Sequence, residues 1–276
     1  MPELAPDLRA LWAATVKSLR IYSRYRLNAV MQMFNALIWL PPFYFLGKAF
    51  ADGGKLPGLA AYTGTHDYAT FLVVGWVLAG FVYGAFWGIG FSLWLEMAEG
   101  TLEPVWLTPT PPWVVLLGES MRTFVTTALA SAVLVVVAWG ALGVRFSVDA
   151  VRAALVLLPA LIALYGLGFA VAGLVLLAKD PGNLIDMVSY STCLLSGDRF
   201  PVAALPKPLF VLALAIPLTY AFDGIRHVLL GTTSIVPFWA EVGILVAFMV
   251  VMIALGYASF RLADRRVRRL GTLSQH

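Results

Sequence analysis

Apolar residues in this chain do not alternate with polar ones; they run together in long blocks. Crossing the ~30 Å hydrocarbon core of a bilayer takes about 20 apolar residues in a helix. Six blocks are candidates: residues 27–50, 68–95, 113–144, 150–178, 184–195 and 236–262. The first is broken by Pro41-Pro42, and the fifth is short unless it extends back through Asn183. Ahead of the first block the pattern changes. Leu4, Leu8, Leu11, Trp12, Val16, Leu19 and Tyr22 recur at helical spacing, while Arg9, Lys17, Arg20 and Arg24 fall largely off that stripe. This predicts an amphipathic helix over residues 1–26, lying in the membrane interface or packed on a soluble partner. The same stretch lacks the short apolar core and small-residue cleavage site of a signal peptide.

Two interruptions carry most of the information. After the second block the chain reads Glu96-Met-Ala-Glu-Gly-Thr-Leu-Glu-Pro-Val-Trp-Leu-Thr-Pro-Thr-Pro-Pro-Trp113. Gly100 releases the chain from the span, and Thr101 and Pro104 suit the cap and opening turn of a short helix. Leu102, Val105, Trp106 and Leu107 give that helix an apolar surface, and Pro109, Pro111 and Pro112 stiffen its return. Such a short, rigid helix suits either mechanical contact with a soluble partner or a seat in the interface. The second interruption runs from Ser196-Gly-Asp-Arg-Phe-Pro201 to Pro217-Leu-Thr-Tyr-Ala-Phe-Asp-Gly-Ile-Arg226 and ends at Gly231. The apolar run between its prolines is too short to span. It reads as a helix–break–helix re-entrant pair, whose break has to be buried in protein or face a cavity.

Composition fixes the class. The 276 residues are 61% hydrophobic and only 12% charged, and the mean hydropathy is +0.85. That leaves too little polar surface for a water-soluble globule of this size. The net charge of +4 therefore reads as a topology signal beside anionic lipid and not as a nucleic-acid footprint. One cysteine excludes an intrachain disulfide and a cysteine metal cage. Arg9, Lys17, Arg20, Arg24 and Arg26 precede the first span, and Arg261, Arg265, Arg266, Arg268 and Arg269 follow the sixth. Both ends are thus expected in the cytoplasm. The expected fold is all-α and integral to the membrane, with six spans, a cytoplasmic helix between spans two and three and an outer re-entrant pair between spans five and six. Residues 1–276 read as one domain: an interfacial helix over 1–26, the spans over 27–262 and a basic tail over 263–276.

Catalytic chemistry finds no constellation. His66, His227 and His276 are far apart, and no G-x-x-x-x-G-K-[ST] occurs; Gly47-Lys48 is followed by Ala49. No metal site and no nucleotide site are expected, and the chain is not read as an enzyme. Ion-coupled transport needs charge at depth, for which Asp186 is the fair candidate. Glu119 and Arg122 are spaced to pair on one helix face. Glu241 is expected to snorkel from the outer end of span six. Gly80, Gly84, Gly88 and Ser92 form a small-residue row on span two, either a static packing seam or a sliding or dimer seam. Asp198, Arg199, Asp223 and Arg226 form either an ion-pair latch or solvated charge at helix ends.

The two interruptions, in this order, resemble the membrane subunit of ABC-2 type transporters. The resemblance rests on Glu99-Gly-Thr-Leu-Glu103, Leu107-Thr-Pro109, Trp113 with Leu117-Gly118, Ser196-Gly197 with Phe200-Pro201, and Pro217-Leu-Thr-Tyr with Asp223 and Arg226. Glu119 stands where a basic residue is common, and Ile216 where an asparagine is usual. The resemblance implies a permease subunit of an ATP-driven exporter in the plasma or inner membrane. It implies a second permease copy or a related one, and two separate ATP-binding subunits that carry Mg-ATP. The short outer loops are similar to the drug- and lipid-exporting branch, which moves amphipathic drug-, antibiotic- or lipid-like substrates. Glu99, Gly100, Thr101, Leu102, Glu103, Trp106 and Leu107 then correspond to the coupling helix. Phe200, Pro201, Pro217, Tyr220, Asp223 and Arg226 correspond to the outer gate. Phe34, Tyr83, Phe86 and Trp87, with Trp39, are the aromatic candidates for the substrate pathway. The alternative function is an ion-coupled secondary transporter.

Overall fold

The computed structural model describes residues 4–51, 56–101, 104, 106–108, 110–146, 149–176 and 181–270, of which 4–6, 181, 268 and 270 are described by backbone alone. Among them the secondary structure is entirely helical, in ten α-helices and one short 3₁₀ turn. The first is α1 (Leu4–Arg24) and the second α2 (Arg26–Ala49), which stays helical through Pro41 and Pro42. A short α3 (Pro57–Thr63) leads to α4 (Tyr68–Ala98). Next come α5 (Pro112–Leu142), α6 (Ala150–Val175) and α7 (Pro181–Ser196). After the turn at Val202–Ala204 the chain forms α8 (Lys207–Leu214), α9 (Pro217–Leu230) and α10 (Phe238–Leu270).

The helix starts are encoded locally. Asp67 accepts the Thr70 backbone N–H at 3.0 Å, and Asp149 accepts that of Arg152 at 3.1 Å, each satisfying a free donor of the first turn. Proline opens α5 and α9, where its missing N–H costs nothing.

Among the described residues five helices are long and apolar enough to cross a membrane: α2, α4, α5, α6 and α10. The bent pair α8–α9, turned by 91° at its break, makes a sixth if it is counted as one span. The predicted fifth span differs. Helix α7 has 16 residues, about 24 Å at 1.5 Å per residue, and falls short of the hydrocarbon thickness. It does extend back past Asn183, to Pro181, and residues 177–180 ahead of it lie outside the described residues.

Helix α4 is the hub. Phe71, Leu72, Val82, Ala85, Phe86 and Ile89 on it are fully or almost fully buried, and it packs against α2, α5, α6, α7 and α9. Its small-residue row receives α5. A Cβ on Gly84 would lie 2.6 Å from Thr127 Oγ1, and one on Gly88 would lie 2.2 Å from Thr123 Cγ2. The row is a packing seam inside the chain. Helices α6 and α10 approach closer still: a Cβ on Gly256 would sit 2.1 Å from the Gly166 carbonyl oxygen. Backbone contact of this kind is how membrane helices gain dispersion energy where burial from water contributes nothing. The bundle has two ends. At the terminal end α1 lies beside the start of α5, α4 finishes and α10 finishes; at the far end α4 begins and α9 packs over it.

Candidate functional site

At the far end the second interruption folds into one polar core. The Pro217 break takes the regular helical donors from two carbonyls at the end of α8, of which that of Ala213 keeps the Ile216 N–H at 3.0 Å. Thr219 Oγ1 donates to the Ala213 carbonyl at 2.6 Å, and Tyr220 Oη donates to that of Leu214 at 3.0 Å. The Thr-Tyr pair after the proline thus supplies what water supplies to a break outside a membrane. Asp223, one turn on, accepts the Ile235 backbone N–H at 2.7 Å and the Ser234 hydroxyl at 3.1 Å, which fixes the loop leading to α10.

Arg226 is 4% exposed and ties three segments. It donates to the carbonyls of Gly197 (2.6 Å), Asp198 (2.7 Å) and Phe71 (3.4 Å), and its guanidinium lies 3.5 Å from the centre of the Phe71 ring. Gly197 adopts φ +77°, the left-handed conformation that glycine takes without strain. Across from it Gly75 leaves room for the Asp198 carbonyl, which a Cβ there would meet at 1.8 Å. Arg226 therefore forms no ion pair with either aspartate and binds backbone instead; Arg226 and Asp198 are buried, whereas Arg199 and Asp223 are half-buried. Asp198 pairs with its neighbour Arg199 at 3.3 Å. Burial pushes the Asp198 carboxyl above its ordinary range, with Arg199 and Arg226 pulling it back. Phe200 and Pro201 are half-buried in the same loop, and Pro217 is buried at the start of α9.

Glu241 does not snorkel. Its side chain is fully buried, a Cβ on Gly224 of α9 would lie 2.8 Å from its Oε2, and neither carboxyl oxygen has a hydrogen-bond partner among the described residues. Sequence reasoning also missed Gly75, and it gave Thr219 and Gly118 only as members of the family motifs, with no structural role. The signal for Thr219 was a hydroxyl directly after a proline break, where orphaned carbonyls need donors.

Between the ends, a cavity of about 510 Å³ opens between α2, α4, α5 and α7. Gln32, Asn35, Thr126 and Ser131 give it polar groups, and Trp39 and Tyr83 give it aromatic faces. Arg199 lines it too, its guanidinium 4.5 Å from the Phe43 ring and 5.2 Å from that of Trp76. Of the predicted pathway aromatics, Tyr83 and Trp39 line this cleft. Phe86 does not: it is fully buried in the core. Phe34 is exposed and lies off the cleft, and Trp87 is half-buried and donates its indole N–H to Asp186 at 3.0 Å.

At the terminal end Gly100, at φ +69°, stops α4. Its N–H donates to the Met97 carbonyl at 3.2 Å and the Thr101 N–H donates to that of Glu96 at 3.0 Å, a Schellman closure. The Thr101 hydroxyl also donates back to the Glu96 carbonyl, at 3.3 Å. Pro104 and Trp106 are helical. Trp106 is buried, whereas Leu107 is 80% exposed and Glu99, Gly100 and Thr101 are exposed. Leu102, Glu103, Val105 and Pro109 lie outside the described residues. Gly118 brings α1 against α5, since a Cβ there would meet Ala14 Cβ at 2.6 Å. Glu119 and Arg122 form the expected ion pair, and Arg122 stacks on Tyr22 of α1 at 5.6 Å. Leu8 and Trp12 of α1 remain exposed.

Among the described residues no group of three or more His, Cys, Asp or Glu side chains is placed to hold a metal ion. The sequence model of the ABC-2 type transporter family matches residues 9–230, from the first turns of α1 through the end of α9. No individual curated protein matches the chain. The matched stretch contains residues 99–107, the cleft and the Arg226 core, and on it the chain is a multi-pass membrane protein that belongs to the ABC-2 type transporter family.

Proposed function

We propose that this chain is the permease subunit of an ATP-driven exporter that moves an amphipathic drug-, antibiotic- or lipid-like substrate out of the cell. The observation that carries the reading is the cleft. Its walls combine indole and phenol faces with amides and hydroxyls, a lining matched to a molecule that is partly apolar and partly polar. Two permeases, identical or related, enclose the pathway. Two ATP-binding subunits dock at the terminal end, which faces the cytoplasm of a cell whose plasma or inner membrane holds the complex. Mg-ATP binds and is hydrolysed in those partner chains, not in this one.

In this reading the 99–107 segment is the coupling helix, with exposed Leu107 and the acidic side chains seated in a groove of the ATPase. Nucleotide-driven closure pushes that segment, and α4 and α5 carry the movement as rigid bodies joined at Gly84 and Gly88. Helix α1 lies in the interface with Leu8 and Trp12 toward lipid. The α8–α9 pair is re-entrant at the outer face, where Phe200, Pro201, Pro217, Tyr220, Asp223 and Arg226 form the gate.

The test is ATPase activity in nanodiscs, for the chain alone and for the chain co-expressed with an ATP-binding subunit encoded beside it. The expected result is no activity alone, stable co-purification of the pair, and loss of association on Glu103→Arg. Transport by the lone chain in an ion gradient, with Asp186 essential, would overturn the reading in favour of a secondary carrier.

A further inference from the structure

A second concave surface lies on the outside of the bundle, between α5, α6 and α10. It is a groove of about 580 Å³ whose lining is almost wholly apolar. Met121 of α5, Ile162 of α6 and Ile253 of α10 are all exposed within it. On α5 the groove runs from Trp113 to Phe124. Eleven steps at 1.5 Å come to roughly 17 Å, about half of a ~30 Å hydrocarbon core. The groove is thus one leaflet deep and begins at the terminal end of the bundle.

The charge lies where a headgroup at that end would be. Ile253 and Tyr257 line the groove, and Arg261 and Arg265 continue the same row of α10 at four-residue steps. Arg261 is held against the groove wall, its guanidinium 5.8 Å from the centre of the Tyr257 ring. Arg261, Arg265, Arg266 and Arg269 are exposed, and the sequence adds Arg268 to this end of the helix. The acid among them is half-buried Asp264, which already has an interaction. An excess of arginine at the rim of an apolar slot matches a ligand with hydrocarbon tails and a negative head.

We propose that this groove is a binding site for one anionic phospholipid of the leaflet at the terminal end. The tails lie between α5, α6 and α10, and the phosphate is held by Arg261 and Arg265. The site is separate from the cleft and does not depend on the direction of transport.

The test is native mass spectrometry of the full chain in detergent, titrated with dioleoyl-phosphatidylglycerol or dioleoyl-phosphatidylcholine. Each arginine near an anionic headgroup contributes about a fivefold factor. Wild type is expected to retain phosphatidylglycerol at least about fivefold better than phosphatidylcholine. The Arg261→Gln/Arg265→Gln double variant is expected to bind the two within about twofold of each other. Filling the slot with Ile253→Trp or Met121→Trp is expected to remove the bound lipid in at least one of the two variants. Equal retention of both lipids by wild type, an undiminished preference in the double variant, or full lipid retention in both filling variants would each overturn the proposal. So would a change in oligomeric state caused by the filling variants, which would assign the groove to a second copy of the chain.

Discussion

At the far end of the bundle most polar side chains of the family motif bind protein, although buried Ser196 Oγ and Arg226 Nε find no hydrogen-bond partner among the described residues. Thr219 and Tyr220 close the α8–α9 break, Asp223 holds the loop before α10, and Arg226 binds three carbonyls while almost fully buried. The terminal end is built the other way. Its motif stops α4 with Gly100 and then leaves Glu99, Thr101 and Leu107 in the open. Both ends carry motifs of the same family, yet one is largely satisfied within the chain and the other is not. The difference separates two ways a motif residue becomes necessary: by holding its own fold, or by meeting another molecule.

That separation breaks first at Arg226. Arg226→Gln removes charge-assisted hydrogen bonds to buried carbonyls, each worth about 1.5–3 kcal/mol. A loss of roughly 3–5 kcal/mol is expected, seen as a large fall in Tm and in yield of folded protein. An unchanged Tm would mean that the far end is not self-supporting. Gly84→Leu comes next. It forces a side chain onto Thr127 at the α4–α5 seam, and overpacking of this kind costs about 1–3 kcal/mol. Thermal unfolding in one nanodisc composition measures both.

Thr219→Val is smaller. It keeps the shape but leaves the Ala213 carbonyl with the Ile216 N–H as its one remaining donor, at a cost of about 0.5–1.5 kcal/mol, and Thr219→Ser is expected to recover most of that. A valine variant as stable as wild type would show that the Ile216 N–H is donor enough for this carbonyl. The smallest stability effect belongs to the terminal end. Leu107→Asp is expected to change stability by less than about 0.5 kcal/mol, as exposed substitutions do, while abolishing co-purification of an ATP-binding subunit. A destabilised variant that still binds its partner would reverse the comparison.

Much of this was legible in the sequence, because spans need length and apolarity and the chain states both. Helices α2, α4, α5 and α6 fall within three residues of the apolar blocks, α10 runs eight residues past its block to Leu270, and Gly100 ends α4 as its position suggested. Facing was not legible. In a membrane the lipid side and the protein side of a helix are equally apolar, so Phe86 and Tyr83 read alike although one fills the core and the other lines the cleft. Nor did the sequence distinguish the partners of charge. Arg226 stands three residues from Asp223, yet the fold delivers it to carbonyls of the loop after α7, which only the close approach at Gly75 makes reachable. Glu241 misled for the same reason: its place near a helix end suggested water, and the packing of α9 puts Gly224 there instead.

Hydrogen–deuterium exchange on the full chain in nanodiscs, alone and bound to its ATP-binding subunit, tests the contrast most directly. The account predicts slow exchange over residues 216–235 in both states and rapid exchange over 99–108 that becomes protected only in the complex. Protection at 99–108 that is the same with and without the partner would contradict it.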